Sequence, residues 1–383
     1  MKRKILFIIT SHIHYARSRF ILEKVQKHPD LELQIAIAAS AILPQYGNVE
    51  KAMEKDGFTY DAKITMTLAG GNSIAMAKTT GIGIMEFATV FDNLKPDIVV
   101  VRGDRYEVMA AAIAAGYMNI SIAHIEGGDT TGNIDESVRH AVTKLAHIHF
   151  ITNEESGKRV RQMGENPNYI FHVGCPELEY AQKHNSTLSA ETINRMGVGA
   201  EVDLLQPFII VMHHPVTSET GQNREHTNVL LKAVQALGVQ TLWFWPNIDA
   251  GTDEVAKAIR IFREHENADH MRFLKYMMPE DFMTLLKHSA CLVGNSSAGI
   301  KEASYLGLPT VNIGSRQQGR TCGENVTNIA QYDEKVITTA ISTQLEHGKF
   351  EPCFIYYKEH CSKNITDTLA SVDLYTQKEF YNS

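Results

Sequence analysis

The chain has 383 residues, 44% hydrophobic and 21% charged, which is enough for two domains with sizeable cores and excludes a disordered protein. Its formal net charge of −7 excludes an affinity that rests on neutralising nucleic-acid phosphates, so no nucleic-acid partner is expected. A local basic pocket on an acidic protein still admits a phosphorylated small molecule. The five cysteines, at 175, 291, 322, 353 and 361, have no CxxC spacing, which argues against a zinc ribbon or a disulfide framework and fits a reducing compartment.

The N-terminal MKRKILFIITSHIH holds an apolar run too short to span a membrane, and it lacks a small-residue cleavage site. It reads as a first buried strand, and the protein as cytoplasmic and soluble with no membrane partner. Further β-rich apolar runs follow: LQIAIAA (33–39), DIVVVRG (97–103), ISIAHIE (120–126), IHFIT (148–152) and YIFHV (169–173). After a gap come FIIVMHH (208–214), TLWFWP (241–246), RFLKYM (272–277), CLVGNSS (291–297) and PTVNIG (309–314). Near-continuous apolar strands between amphipathic helices indicate the α/β class, with parallel sheets buried on both faces. The polar stretch 174–206 carries a proline at each end and marks a domain boundary. The expected organisation is an N-terminal domain over 1–180, a C-terminal domain over 200–365, and a segment over 366–383 that packs back. Two open parallel sheets joined in this way would face each other across a cleft, with ligands at the carboxyl ends of the strands.

The residues just after each strand are therefore the informative ones. Gly103-Asp104-Arg105 ends a strand and enters an alanine-rich helix. Asp104 either caps that helix or faces a ligand. The stretch HIEGGDTTGNIDESVRHAVTKLAH (124–147) crowds acids into a glycine-rich turn. Asn133 with Glu136 three residues on forms a capping box. Ile134, Val138, Val142 and Leu145 form a helical apolar face, and Arg139 is placed to pair with Asp135. None of this explains Glu126 in front of two glycines. AGGNS (69–73) lacks the lysine of a phosphate loop and reads as a helix-entry turn.

In the second half, His213-His214-Pro215 ends a strand. Adjacent side chains there point to opposite faces, so at most one enters a cleft. Neighbouring histidines do not make a metal site. Gly294-Asn295-Ser296-Ser297 runs from a strand into a helix. A helix start offers free amides and partial positive charge to a phosphate, and Gly294 and Gly299 would let a ligand approach the backbone. Glu302 is placed for ribose hydroxyls, and Arg316 and Arg320 for a diphosphate. A serine-capped helix with a solvated Glu is the plain alternative.

Taken together, the chain resembles the UDP-N-acetylglucosamine 2-epimerase family, in its hydrolysing branch. The resemblance lies in GDR (103–105), the stretch 124–147, VGCP (173–176), HHPVT (213–217), PNIDAG (246–251), GNSSAGIKEA (294–303) and NIGSRQQGRTCGENV (312–326). It implies two Rossmann-like domains of the glycosyltransferase-B type, and conversion of UDP-N-acetylglucosamine and water to N-acetylmannosamine and UDP, an entry step to sialic acid or surface polysaccharide. It implies no metal and no redox cofactor, and a homo-oligomer, dimer or tetramer. Carried over by position, Asp104, Glu126, Asp135 and His214 are catalytic. Arg17, Arg105, Phe282, Ser296, Ser297, Glu302, Arg320 and His12 bind the UDP-sugar, with Phe282 near the uracil. The match departs at TSHIHYARSR (10–19). His12 stands where the family has an Arg and His14 where it has an acid, which leaves the sugar open. A related UDP-diacetamido sugar is one alternative. Others are a UDP-sugar transferase of the same fold, the non-hydrolysing epimerase, and a nucleotide-sugar sensor.

Overall fold

The structure is a computed structural model and describes residues 2–44, 47–68, 73–183, 188–247, 249–266 and 268–382. The turn expected at 69–73 thus lies almost wholly outside the described residues. The chain divides into two compact units. One comprises Met1–Thr130, Ile134–Glu179 and Tyr356–Ser383; the other comprises Thr131–Asn133 and Tyr180–Ile355. The chain returns to the first unit at Tyr356, ten residues earlier than the expected 366.

The first unit is built on a seven-stranded sheet: β1 (Arg3–Ile9), β2 (Leu31–Ala38), β3 (Ala62–Ile64), β4 (Ile98–Arg102), β5 (Ser121–Ile125), β6 (Ile148–Ile151) and β7 (Ile170–His172). Their order is β3-β2-β1-β4-β5-β6-β7, and every pairing is parallel. The period-two alternation of a strand divides β1 between two cores. Ile5, Phe7 and Ile9 enter one with Ile35, Ile98 and Phe150. Leu6 and Ile8 enter the other with Val99, Phe87 and Phe91. Both faces are covered, so the strand is apolar from Ile5 to Ile9. The helix Cys361–Ser371 closes the first core with Cys361, Ile365 and Leu369. Arg3 ties its end down, donating to the carbonyls of Leu369 at 2.7 Å and Val372 at 3.0 Å. Ser73–Leu94 is a 22-residue helix that, by length and composition, could cross a membrane. Its buried line is Thr79, Gly83, Phe87 and Phe91, and Ile74 and Met85 are exposed.

The second unit carries β8 (Gly197–Gly199), β9 (Phe208–Met212), β10 (Gln240–Phe244), β11 (Met271–Leu274), β12 (Cys291–Gly294), β13 (Thr310–Ile313) and β14 (Val326–Ile329). The order is β14-β13-β12-β9-β10-β11-β8. Only β8 runs antiparallel, against β11. Ile209, Val211, Trp243, Phe273 and Val293 share the core with the helix residues Leu230, Val234, Ile259 and Ile337. The glycine-flanked β8 is held by Arg272, whose guanidinium donates to the carbonyls of Ile193, Asn194, Gly197 and Ala200. None of the five cysteines is in a disulfide.

Candidate functional site

In the first unit the polar side chains collect beyond the carboxyl ends of the strands. Thr10 and His14 follow β1, Gly103 and Asp104 follow β4, Glu126 follows β5 and Glu177 follows β7. That is where an open α/β sheet binds ligands.

Glu126 is the centre of this cluster. It is 5% exposed and adopts a left-handed backbone with φ 71°, a conformation that costs an ordinary residue about 1–2 kcal/mol. The two glycines behind it are required by close approach. A Cβ on Gly127 would lie 2.9 Å from Thr143 Oγ1, and one on Gly128 would run into the Ser156 carbonyl and lie 2.7 Å from Val160. Asp129 anchors the far side of the turn. Its buried carboxylate accepts from the hydroxyls of Thr152 and Ser156.

One oxygen of Glu126 accepts from Arg102 at 2.9 Å. The same Arg102 nitrogen donates to Glu177, and its other terminal nitrogen donates to the Arg17 carbonyl at 2.8 Å. Arg17 lies 3.7 Å from the second oxygen of Glu177. Burial opposes the charge on Arg102, but the two carboxylates outweigh it and keep the guanidinium protonated. Gly103 has φ 77°, and where its Cβ would be, the nearest atoms are Glu126 Oε2 at 3.8 Å and His14 Nε2 at 3.9 Å. A carboxylate and an imidazole therefore border one small open volume.

Asp104 pairs with Arg139, whose other terminal nitrogen donates to the Glu126 carbonyl at 2.7 Å. The direct bond of Arg139 is thus to Asp104, with Asp135 among the acids around it. Arg139 is buried among Asp104, Asp129, Glu126 and Asp135, which together hold it charged against the cost of burial. Asp135 is half-buried in the first turn of the helix Ile134–Leu145, and Ile134, expected on its apolar face, is exposed. Arg105 makes a bidentate pair with the fully buried Glu107 at 3.0 and 3.1 Å, so part of its donor fork serves the protein. His12 and His14 are both buried at the start of the helix His12–Lys27. Burial drives His12 to about 4, and burial with the nearby Arg105 and Arg102 drives His14 to about 3. His14 Nδ1 is 2.8 Å from Thr10 Oγ1.

Glu126, Cys175 and Glu177 bring ligand atoms within 4.8 Å of one another. Arg102 already bonds to both carboxylates, and a second cation beside a buried guanidinium is repelled. The donor set therefore does not fit a metal ion.

In the second unit the ends of β9, β10, β12 and β13 supply the polar groups. His213 is 1% exposed and packs edge-on against Tyr332 at 5.7 Å, while His214 on the opposite face is half-buried. Burial, with Arg316 nearby, lowers His214 to about 3. The helix expected after GNSS is short and broken. Ser297–Gly299 is one 3-10 turn and Glu302–Tyr305 a four-residue helix. A helix that short has little macrodipole, so any anion there depends on individual N–H groups, serine hydroxyls and cations. Ser296 uses its hydroxyl to cap the 3-10 turn, accepting from Ala298 N–H at 3.3 Å. The space beside Gly294 is filled by the Met212 carbonyl, and a Cβ on Gly299 would lie 2.8 Å from Thr310 Cγ2. Both glycines are thus packing glycines, not openings for a ligand. Glu302 is buried at 5% exposure. Arg316 donates to the Asn295 carbonyl at 3.1 Å and lies 3.9 Å from Asp249. Arg320 is half-buried and follows Gln317, to whose carbonyl its N–H donates. Phe282 packs edge-on against Phe244 at 5.7 Å.

Sequence reasoning missed Arg102, Glu177 and the bond from Arg139 to Asp104. The available signal was a charge closing the apolar strand IVVVR, because Arg is almost never fully buried unless paired.

A family model described as UDP-N-acetylglucosamine 2-epimerase matches residues 23–370. The chain is 31% identical to the UDP-N,N'-diacetylbacillosamine 2-epimerase (hydrolyzing) of Legionella pneumophila, over 98% of each chain. It is 30% identical to the UDP-N-acetylglucosamine 2-epimerase of Neisseria meningitidis, over 91% of this chain and 89% of that one. Among solved structures, the Neisseria meningitidis UDP-GlcNAc 2-epimerase bound to UDP-GlcNAc superposes with a TM-score of 0.77 at 18% identity, covering 96% of this chain and 99% of that one. The fold is accordingly α/β with two Rossmann-like domains of the glycosyltransferase-B type.

Proposed function

We propose, since the chain belongs to the UDP-N-acetylglucosamine 2-epimerase family, that it hydrolyses UDP-N-acetylglucosamine with inversion at C2. In this reading the C2 proton is removed, the C1–O bond breaks, and its electron pair leaves with UDP, giving a glycal. Water then adds across the double bond, its hydroxyl at C1 and a proton at C2 on the opposite face, and N-acetylmannosamine results. Such a path needs acid/base groups at the sugar and donors at the leaving group.

The observation that carries the reading is the Arg102–Glu126 ion pair in the first unit. It supports an ionised Glu126, ready to accept a proton. Asp104 is assigned the second proton transfer and Asp135 the orientation of the sugar or a relay. His214 is assigned to the diphosphate, with Ser296, Ser297, Arg105 and Arg320, while Glu302 takes the ribose. Arg17 and His12 are assigned to the sugar and Phe282 to the uracil. The product would feed sialic acid or surface polysaccharide synthesis in the cytoplasm. The exposed Ile74 and Met85 on the helix Ser73–Leu94 are consistent with a homo-oligomer.

A second reading keeps the chemistry and changes the sugar to a UDP-diacetamido hexose. It is favoured by the Legionella relative and by His12 and His14 at the start of the first helix. Separate incubations with the two UDP-sugars, followed by chromatography of nucleotide and sugar, decide between them. Release of UDP with free N-acetylmannosamine from the first supports the main reading. Turnover of only the diacetamido sugar supports the second. A 2-epimerised UDP-sugar with no free sugar overturns the hydrolytic path.

A further inference from the structure

His214 is held on three sides by asparagines. Asn295, fully buried at the end of β12, lays its side-chain amide along the His214 backbone. The His214 N–H donates to Asn295 Oδ1 at 2.7 Å, and Asn295 Nδ2 donates to the His214 carbonyl at 2.8 Å. One partner is a donor and the other an acceptor, so the orientation of the amide is unambiguous. Asn295 is itself fixed. Its N–H donates to the Met212 carbonyl at 3.0 Å, and its carbonyl accepts from Arg316 at 3.1 Å and Gln317 at 2.9 Å. The side chain thus acts as a further strand partner where the regular ladder of β9 has ended. The third contact is to the ring: the backbone N–H of Asn247, just past β10, donates to His214 Nδ1 at 3.2 Å. Asn247 is anchored in turn by Asp249 on its side chain and by the Thr252 hydroxyl on its carbonyl.

A backbone N–H can only donate. Nδ1 must therefore carry a lone pair, and the single ring proton of the neutral imidazole sits on Nε2. Protonating Nδ1 would set two N–H groups against each other.

We infer that Asn295 and the Asn247 amide are positioning groups that lock His214 as the neutral Nε2–H tautomer, which makes it a fixed hydrogen-bond donor and not a base. This rests on the proposed role of His214 at the diphosphate, where a preorganised donor stabilises developing negative charge without reorganising. His214 then orients the leaving group and donates a hydrogen bond to its developing charge, and proton transfers at the sugar fall to the carboxylates of the first unit.

The direct test is a long-range proton–nitrogen correlation spectrum of the full-length protein with 15N-labelled histidine, with the His214 signals assigned by their loss in His214→Gln. The expected result is a protonated Nε2 and a bare Nδ1 throughout the neutral pH range. An Nδ1–H tautomer, or an imidazolium at neutral pH, overturns the proposal whether or not the protein turns over UDP-N-acetylglucosamine. Failure of the proposed activity with the Nε2–H signal intact would strike only the functional reading. In an active preparation, Asn295→Ala should lower kcat about tenfold with KM changed less than about twofold, from the worth of a buried hydrogen bond. Its spectrum should show His214 exchanging between tautomers. Unchanged kcat and an unchanged tautomer in a folded Asn295→Ala would also overturn the role given to Asn295.

Discussion

Arg102 and Glu126 form an ion pair of 2.9 Å with side-chain exposures of 3% and 6%, and the same guanidinium nitrogen also serves Glu177. A buried carboxylate without a cation would take up a proton. The ion pair with Arg102 favours the charged form of Glu126, and the charged form is the one that can accept a proton.

Glu126→Gln keeps the shape and the hydrogen bond from Arg102 but cannot take a proton. Turnover should fall by about 10²–10⁴, the usual worth of a positioned acid/base group. UDP affinity, measured by calorimetry, should stay within about twofold, because the diphosphate residues assigned here are elsewhere in the chain.

Arg102→Met removes the buried cation that bonds to both Glu126 and Glu177. Breaking a buried pair this way costs about 3–5 kcal/mol, so denaturant unfolding should show a large loss of stability. Arg102→Lys keeps the charge but loses the fork that reaches both acids and the Arg17 carbonyl. It should be the more stable of the two and still impaired in turnover.

Gly128→Ala would push a methyl group into the Ser156 carbonyl at a position with φ 78°. Overpacking and backbone strain each cost about 1–3 kcal/mol. The variant should unfold at lower denaturant, and what remains folded should lose activity through displacement of Glu126. Gly57→Ala, where a Cβ meets nothing within 4 Å though φ is 80°, isolates the strain from the packing and should be the milder change.

Two pH effects follow from burial. Just before β7, burial alone would raise Glu165, but bonds from His149, Lys144 and Lys378 overcome it and hold the carboxyl at about 2 against an ordinary 4.5. Its folded value is depressed, so its stabilisation is present above about 4.5 and is lost as pH falls towards 2. Glu165→Gln should flatten the melting temperature of the protein in that window. Lys378 also donates to the Lys144 and Ala146 carbonyls, so acid should release the C-terminal segment to protease in the wild type. The histidines behave the other way round in cause. Burial holds His12 at about 4 and His14 and His214 at about 3, so none should ionise near 6.5 in the folded protein. The unfolded chain takes up those protons, and stability should begin to fall below about 6.5. A kcat/KM profile with a step near 6.5 that disappears in a histidine variant would contradict this assignment.

The long apolar strands were legible because a parallel sheet covered on both faces demands uninterrupted apolar residues, as in ILFII of β1 and IVVV of β4. The short edge strands β3, β8 and β14 were not, since AKI, GVG and VTNI carry too little pattern to stand out. Glu126 was conspicuous by its glycines, yet its left-handed backbone and its pairing with Arg102 arise only when β4 and β5 lie side by side. Gly294 was misread because a glycine beside serines suggests a ligand, whereas the neighbour that needs the space is the carbonyl of Met212 from another strand. A helix was expected after GNSS without its extent, and the observed backbone divides it into a 3-10 turn over Ser297–Gly299 and a short helix over Glu302–Tyr305.

The central claim is that Glu126 exchanges the proton at C2 of a UDP-sugar that is then hydrolysed. Incubation with UDP-N-acetylglucosamine in deuterated water, followed by proton NMR, tests it directly. The account predicts UDP and free N-acetylmannosamine carrying deuterium at C2, and no such product from Glu126→Gln. Free sugar that retains its C2 proton, or full turnover by Glu126→Gln, would contradict it.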